Sequence, residues 1–308
     1  MSPAGWIILT GALAAASCAL VGCFLVLRRM AMVGDAISHA VLPGIVVAFF
    51  VTQSRAPLPM LIGAGAIGVL TALLIEWLHR GARVQQDAAI GITFTWLFAL
   101  GVILVSAFAG QVDVDQECVL YGEIAYVPWD TWTTAGGVSL GPRAVWILGS
   151  MLAFNAAWIA LAYKELKICA FDPELAASMG IPVAGFHYAL MAATSMTTVT
   201  AFESVGAILV VAMIVGPAAT AYLLTRRLNR MLLIAAGLGV LTSALGYALA
   251  AALDASIAGA MSVVIGVLFA LALLFAPEQG VVPRALRQRA LARESRMAGA
   301  APAGAQTA

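Results

Sequence analysis

Apolar runs of about twenty residues recur along nearly the whole chain, and nothing else in it restricts the fold as severely. A helix needs about 20 consecutive apolar residues to cross a hydrocarbon core, where its own hydrogen bonds must satisfy every backbone N–H and C=O. A transmembrane barrel would leave short alternating segments instead. Of the 308 residues, 63% are hydrophobic and 10% charged, whereas a soluble domain carries roughly 25% charged residues. The expected fold is all-α and polytopic, a multi-pass membrane protein.

Hydropathy places spans near residues 5–27, 33–53, 57–78, 88–109, 143–163, 183–202, 204–224, 231–252 and 256–276. That makes about nine transmembrane helices, or eight if the run from 183 to 224 is not two full crossings. Glu203, followed by Ser204 and Gly206, sits in the middle of that run, where a charge marks a turn at a surface. Basic residues are retained in cytoplasmic loops. Fourteen of the 16 Lys and Arg follow spans 1, 3, 5, 7 or 9, among them Arg28, Arg29, Arg80, Arg83, Lys164, Lys167, Arg226, Arg227 and Arg230; only Arg55 and Arg143 do not. The N-terminus is therefore expected outside and the C-terminus in the cytoplasm. Residues 1–280 form the transmembrane domain, with the first apolar run retained as a span and not cleaved as a signal. Residues 281–308 form a basic, then Ala/Gly-rich cytoplasmic tail expected to be partly disordered.

A net charge of +1 gives no reason to expect a nucleic-acid partner. Cys18, Cys23, Cys118 and Cys169 show no paired spacing, so neither a disulfide framework nor a thiolate metal site is expected. No GxxxxGK[ST] loop occurs, so transport against a gradient must be driven by a partner or by an ion; HExxH and GxSxG are absent too, which argues against an intramembrane hydrolase.

The stretch "RRMAMVGDAISHAVLPGI" sets Asp35 and His39 four residues apart, on one helix face. A carboxylate with an imidazole suits Mn²⁺, Fe²⁺ or Zn²⁺, and ionisable residues inside spans mark substrate paths. The plain alternative is a self-satisfied pair near a helix start, with Asp35 favoured by the helix dipole. Pro43 continues the stripe and, lacking an N–H, favours a kink there; Pro217 interrupts the ladder of another span in the same way. Between spans 5 and 6, "CAFDPELAASMGIP" reads as a short helix capped by Asp172, begun by Pro173 and Glu174 and stopped at Gly180 before Ile181. It is either a docking element or an ordinary interfacial helix. The stretch 110–132 carries Asp113, Asp115, Glu117, Glu123 and Asp130 without Lys or Arg. With Glu203, the acids Asp113, Asp115, Glu117 and Glu123 form a candidate cation path, or else the stretch is a solvated loop whose Tyr121, Tyr126, Trp129 and Trp132 anchor it at the interface. His79 and His187, at inner helix ends, read as interfacial side chains and not as ligands.

In order and spacing, "RRMAMVGDAISHAVLPGI", "FDPELAASMGIP" and "VGAILVVAMIVGPAATAYLLT" resemble the three signature regions of the ABC-type metal permeases of the manganese/zinc/iron uptake family, over residues 5 to 276. The resemblance implies a non-enzymatic permease subunit in the bacterial inner membrane that forms a dimer with a second copy or close paralogue. Two cytoplasmic ATPase subunits would sit beneath it, and an extracytoplasmic metal-binding protein would deliver the ion. Asp35 and His39 then match the metal site of the path, and Phe171 to Ile181 the helix that receives the power stroke. The acidic loop is similar to that of manganese/iron-type members; Glu203 has no matching family role. The implied cargo is manganese, with zinc or ferrous iron next, and no cofactor is bound permanently. A permease for a metal chelate such as haem or a siderophore, and a secondary ion-coupled transporter with Asp35 and His39 as a proton relay, are the rival readings.

Overall fold

The computed structural model describes residues 2–52, 57–108, 124–133, 139–277 and 280–284. The acids Asp113, Asp115, Glu117 and Glu123, the basic residue Arg55 and the tail beyond residue 284 lie outside the described residues.

The nine expected spans are all present as helices, with ends within three residues of the hydropathy reading. The chain runs α1 (Pro3–Leu27), α2 (Val33–Ala40), α3 (Leu42–Thr52) and α4 (Pro57–Glu76), which continues as a π-helical turn, Trp77–Gly81. After α5 (Gln86–Phe108) come a 3₁₀ turn (Ile124–Trp129) and a hairpin of β1 (Thr131–Thr133) with β2 (Ser139–Pro142). Then follow α6 (Arg143–Leu161), α7 (Tyr163–Phe171), α8 (Pro173–Ser178), α9 (Val183–Val205), α10 (Ala207–Leu224), α11 (Leu228–Leu253) and α12 (Ile257–Phe275).

Among the described residues eight segments are long and apolar enough to cross a membrane, α2 and α3 counting as one. The ninth, α9, has 23 residues, enough for about 34 Å at 1.5 Å per residue, but is less apolar than the others. It carries Thr194, Ser195, Thr197, Thr198, Thr200 and Ser204, all buried. Thr194, Thr197 and Thr200 return their hydroxyl protons to the carbonyls of Leu190, Ala193 and Met196 at 2.7–2.8 Å, so they cost little in an apolar setting. Thr197 Oγ1 also accepts from Asn155 Nδ2, which reaches Ser17 Oγ as well, tying α9 to α6 and α1. A helix this polar needs protein on its sides. It lies between two groups, α2–α5 on one flank and α1, α6 and α10–α12 on the other.

Helix α1 is the axis of the second group and the most buried of the eight spans. Water supplies no driving force between helices in lipid, so close approach of small residues does. A Cβ on Gly22 would collide with the Ile214 carbonyl of α10, and one on Gly239 of α11 would stand 2.9 Å from Ala15 Cβ. Cys18 and Cys23 fill this seam as buried small side chains, as expected. The turn expected near Glu203 falls three residues later, at Gly206, whose φ of +81° lets α9 end and α10 begin without a loop; Glu203 itself sits in the last turn of α9.

The ends of the bundle differ in chemistry. Arg28 reaches the carbonyl of Cys169, and Cys23 approaches that of Met231. The segments after α1, after α6 and before α11 thus share one basic end, as the loop charges require. At the opposite end Gly141 of the hairpin packs on the Trp6 ring.

Candidate functional site

Helix α2 is eight residues long, and Val33, Gly34, Ala36, Ile37, Ser38 and Ala40 are buried. Asp35 and His39 occupy the remaining face, Asp35 Oδ1 3.5 Å from His39 Nε2, with their side chains 28% and 35% exposed in the single protomer. The ring of His39 lies 6.0 Å from that of Phe94 and 6.1 Å from that of Phe98, both on α5. One turn on, the helix is interrupted at Val41, and Gly44 N–H donates to the Val41 carbonyl in place of a regular rung. The interruption expected from Pro43 is therefore present, and the Pro43 ring sits where a Cβ on Gly101 of α5 would come within 2.8 Å of it. The predicted stripe Asp35, His39, Pro43 is real, and its His39 and Pro43 abut α5. Helix α10, by contrast, runs unbroken through Pro217.

No Lys or Arg among the described residues makes an ion pair with Asp35 or His39. Nor do the described residues contain a group of three or more His, Cys, Asp or Glu able to hold a metal. Among the described residues the site offers one carboxylate and one imidazole, with no Lys or Arg paired to either.

A second carboxylate–imidazole pair stands at the basic end, and sequence reasoning missed it. Glu76 closes α4 and His187 lies in the first turns of α9; both side chains are below 10% exposed, and Glu76 Oε2 is 2.9 Å from His187 Nε2. Arg80 pairs with Glu76 Oε1 from one turn further on. Arg28 Nη1 stands 3.0 Å from His187 Nδ1, and its Nη2 donates to the Cys169 carbonyl at 3.4 Å. Burial pulls the Arg28 guanidinium below its ordinary range while Glu76 acts to raise it. His187 is thus a buried, bonded side chain and not the interfacial one expected; His79 is hydrogen-bonded to the Val84 carbonyl. The one available signal was Glu76 itself, a carboxylate inside the apolar "LLIEWLHR". A cleft of about 300 Å³ opens beside the pair, lined also by Arg29, His79 and Pro173.

Helix α8 forms as its sequence predicts. Asp172 Oδ1 accepts from Leu175 N at 2.9 Å, Pro173 takes the first position, and Glu174 lies in the first turn. Gly180, at φ +78°, ends it: Ile181 N donates to the Ala176 carbonyl and Gly180 N to that of Ala177, both at 3.0 Å. This six-residue helix buries only Ala176. Phe171 at the end of α7, Leu175 in α8 and Met179 at its C-cap are each at least 50% exposed.

At the other end Glu203 lines a cleft of about 290 Å³ with Asp130 and Arg143. Arg143 adds a positive charge to the only part of the acidic path within the described residues.

A family model described as the ABC 3 transport family matches residues 4–276. The chain belongs to that family. This permease is 53% identical over 287 residues to the manganese transport system membrane protein MntD of Bacillus subtilis (strain 168), covering 93% of the chain and 97% of that protein. It is 43% identical over 290 residues to the zinc transport system membrane protein TroD of Treponema pallidum (strain Nichols), covering 92% and 77%. Among solved structures, PsaBC from Streptococcus pneumoniae in complex with Fab superposes with a TM-score of 0.76 at 31% identity, over 94% of this permease and 96% of that chain.

Proposed function

We propose that this permease is the membrane-spanning subunit of an ATP-driven importer of divalent transition metal ions, manganese foremost and zinc or ferrous iron next, in the bacterial inner membrane. The observation that carries it is the exposure of Asp35 and His39 on the flank of a single protomer, with no Lys or Arg among the described residues paired to them. A carboxylate and an imidazole facing lipid would be costly, so this face belongs against a water-filled path shared with a second permease copy or a close paralogue. That partner copy also supplies the ligands the chain lacks. The names of relatives that transport manganese and zinc support the cargo.

The mechanism is alternating access. A metal-binding protein docks on the acidic end, which faces outward, and the ion passes along the acidic loop to Asp35 and His39. Two ATPase subunits dock on α8 at the cytoplasmic end, and their closure moves it. The firmly capped but laterally uncovered helix supports ATP coupling over a secondary, proton-relay transporter, because it and its two flanks leave Leu175, Phe171 and Met179 bare for a partner. Few ligands beside an interrupted helix bind an ion tightly enough to accept it and loosely enough to release it. Raw affinity favours zinc over manganese, so manganese selectivity must come from the geometry of the completed site.

The test is competition uptake in vesicles holding the permease with its ATPase. ATP-dependent accumulation of manganese, resisted less well by zinc than by cold manganese, is expected. Uptake that survives nucleotide depletion would sink the ATP-driven reading.

A further inference from the structure

A guanidinium only donates hydrogen bonds. His187 Nδ1, 3.0 Å from Arg28 Nη1, is therefore the acceptor, and the ring proton lies on Nε2, directed at Glu76 Oε2 2.9 Å away. The remaining oxygen of Glu76 is held by Arg80. The chain of bonds has one direction: from the end of α1, through α9, to the end of α4. The other arm of Arg28 rests on the Cys169 carbonyl in α7, three residues before the Asp172 cap of α8.

The two helices joined by this chain also meet further in, eight residues away on each. A Cβ on Gly68 of α4 would collide with Ser195 Oγ of α9, and Ser195 Oγ donates to the Gly65 carbonyl at 3.4 Å. Eight residues span about 12 Å of helix, so the antiparallel pair keeps one register from Gly68–Ser195 out to Glu76–His187. At Gly68 the same Cβ would stand 3.2 Å from Ile37 Cγ2. Ile37 is fully buried and lies midway between Asp35 and His39 on α2. The spacing of α4 and α9 thus sets the slot that holds the cargo-bearing helix.

We propose that Arg28, His187 and Glu76 are positioning residues forming a latch at the basic end, which passes the movement of α7–α8 to α4 and α9 and so to α2. The inference rests on the reading of the chain as an ATP-driven metal permease. The pair is unsuited to be a second metal site, since Arg28 and Arg80 flank it and would repel a dication. It is suited to two discrete states. Glu76 and His187 are too buried to lose each other without replacement partners, and the adjoining cleft of about 300 Å³ gives water room to supply them once α7 draws Arg28 away.

The experiment measures manganese uptake and ATP hydrolysis together in vesicles holding the permease, its ATPase and its binding protein. His187→Ala is expected to raise ATP hydrolysis in the absence of metal, and to lower metal moved per ATP, by about tenfold, the shift that one lost charge-assisted hydrogen bond produces in a two-state equilibrium. His187→Gln, whose amide keeps both a donor and an acceptor, is expected to restore coupling to within about twofold, which a mere packing role would not predict. His187→Ala coupled as tightly as the wild type overturns the latch. If that variant fails to assemble, Glu76→Cys with His187→Cys, bridged by a short bis-thiosulfonate reagent, carries the test. Bridging should return hydrolysis to the wild-type level and reduction should raise it again; hydrolysis indifferent to bridging also overturns the latch. Wild-type vesicles without ATP-dependent uptake refute the permease reading itself.

Discussion

The molecule holds two carboxylate–imidazole pairs, and their surroundings give them opposite uses. Asp35 and His39 are 3.5 Å apart on successive turns of one helix, roughly a third exposed, and free of Lys and Arg ion pairs among the described residues. Glu76 and His187 are 2.9 Å apart on two helices, almost fully buried, with Arg28 and Arg80 on either side. The same two functional groups stand open to a dication in the first setting and are taken up by each other and by two guanidinium groups in the second. What decides is the local charge and access, not the residue types.

The contrast can be broken by experiment, and the largest effect should come from the open pair. Asp35→Ala or His39→Ala is expected to cut metal uptake by more than about 100-fold, beyond the 10–100-fold that losing an outer-shell partner costs a metal site. Co-purification with the ATPase should be unchanged; near-normal uptake in both variants would remove the assigned site. Next comes a conversion of one pair into the likeness of the other. Phe98→Arg sets a guanidinium beside His39 and should depress uptake by about tenfold or more, since a nearby like charge disfavours a bound cation by over 1.4 kcal/mol. Uptake rates in vesicles at matched protein levels decide it.

Smaller effects are expected at α8, the proposed docking helix. Asp172→Ala removes the cap of α8 and should cost that helix about 1 kcal/mol, reducing metal-stimulated ATP hydrolysis severalfold while metal binding persists. Gly180→Ala forces a Cβ onto a backbone at φ +78° for a similar local cost of about 1 kcal/mol. Glu174→Ala should do least, since a charge in the first turn is worth about 0.3–1 kcal/mol. A titration of ATP hydrolysis against metal ranks all three, and equal losses in metal binding would show that α8 is not separable from the site.

The open pair was legible in the sequence because it is local. Asp35, His39 and Pro43 recur at helical spacing, so one helix suffices to put them on one face, and α8 carried its own cap and stop signals. Span positions were legible for the same reason, each being a property of some twenty adjacent residues. The latch was not, because Glu76 and His187 are separated by two whole spans in the sequence and meet only through the register of α4 on α9. A glutamate at a helix end beside Arg80 reads as an ordinary surface charge until its neighbour is known. Hydropathy also placed a turn at Glu203, where charge alone suggested a surface; the backbone turns at Gly206, where conformational freedom allows it.

The six buried hydroxyls of α9, and the single glycine that separates it from α10, bear on how the chain is made. A segment so rich in threonine gains little by leaving the translocon for lipid before its protein neighbours exist. Helix α10, joined to it by Gly206 alone and strongly apolar, is the natural escort. The two should integrate as one hairpin during synthesis, so a reporter active only on the outer side should stay inactive when fused to a chain ending at Gly206, and become active when inserted at Gly206 in a chain that continues through Leu224.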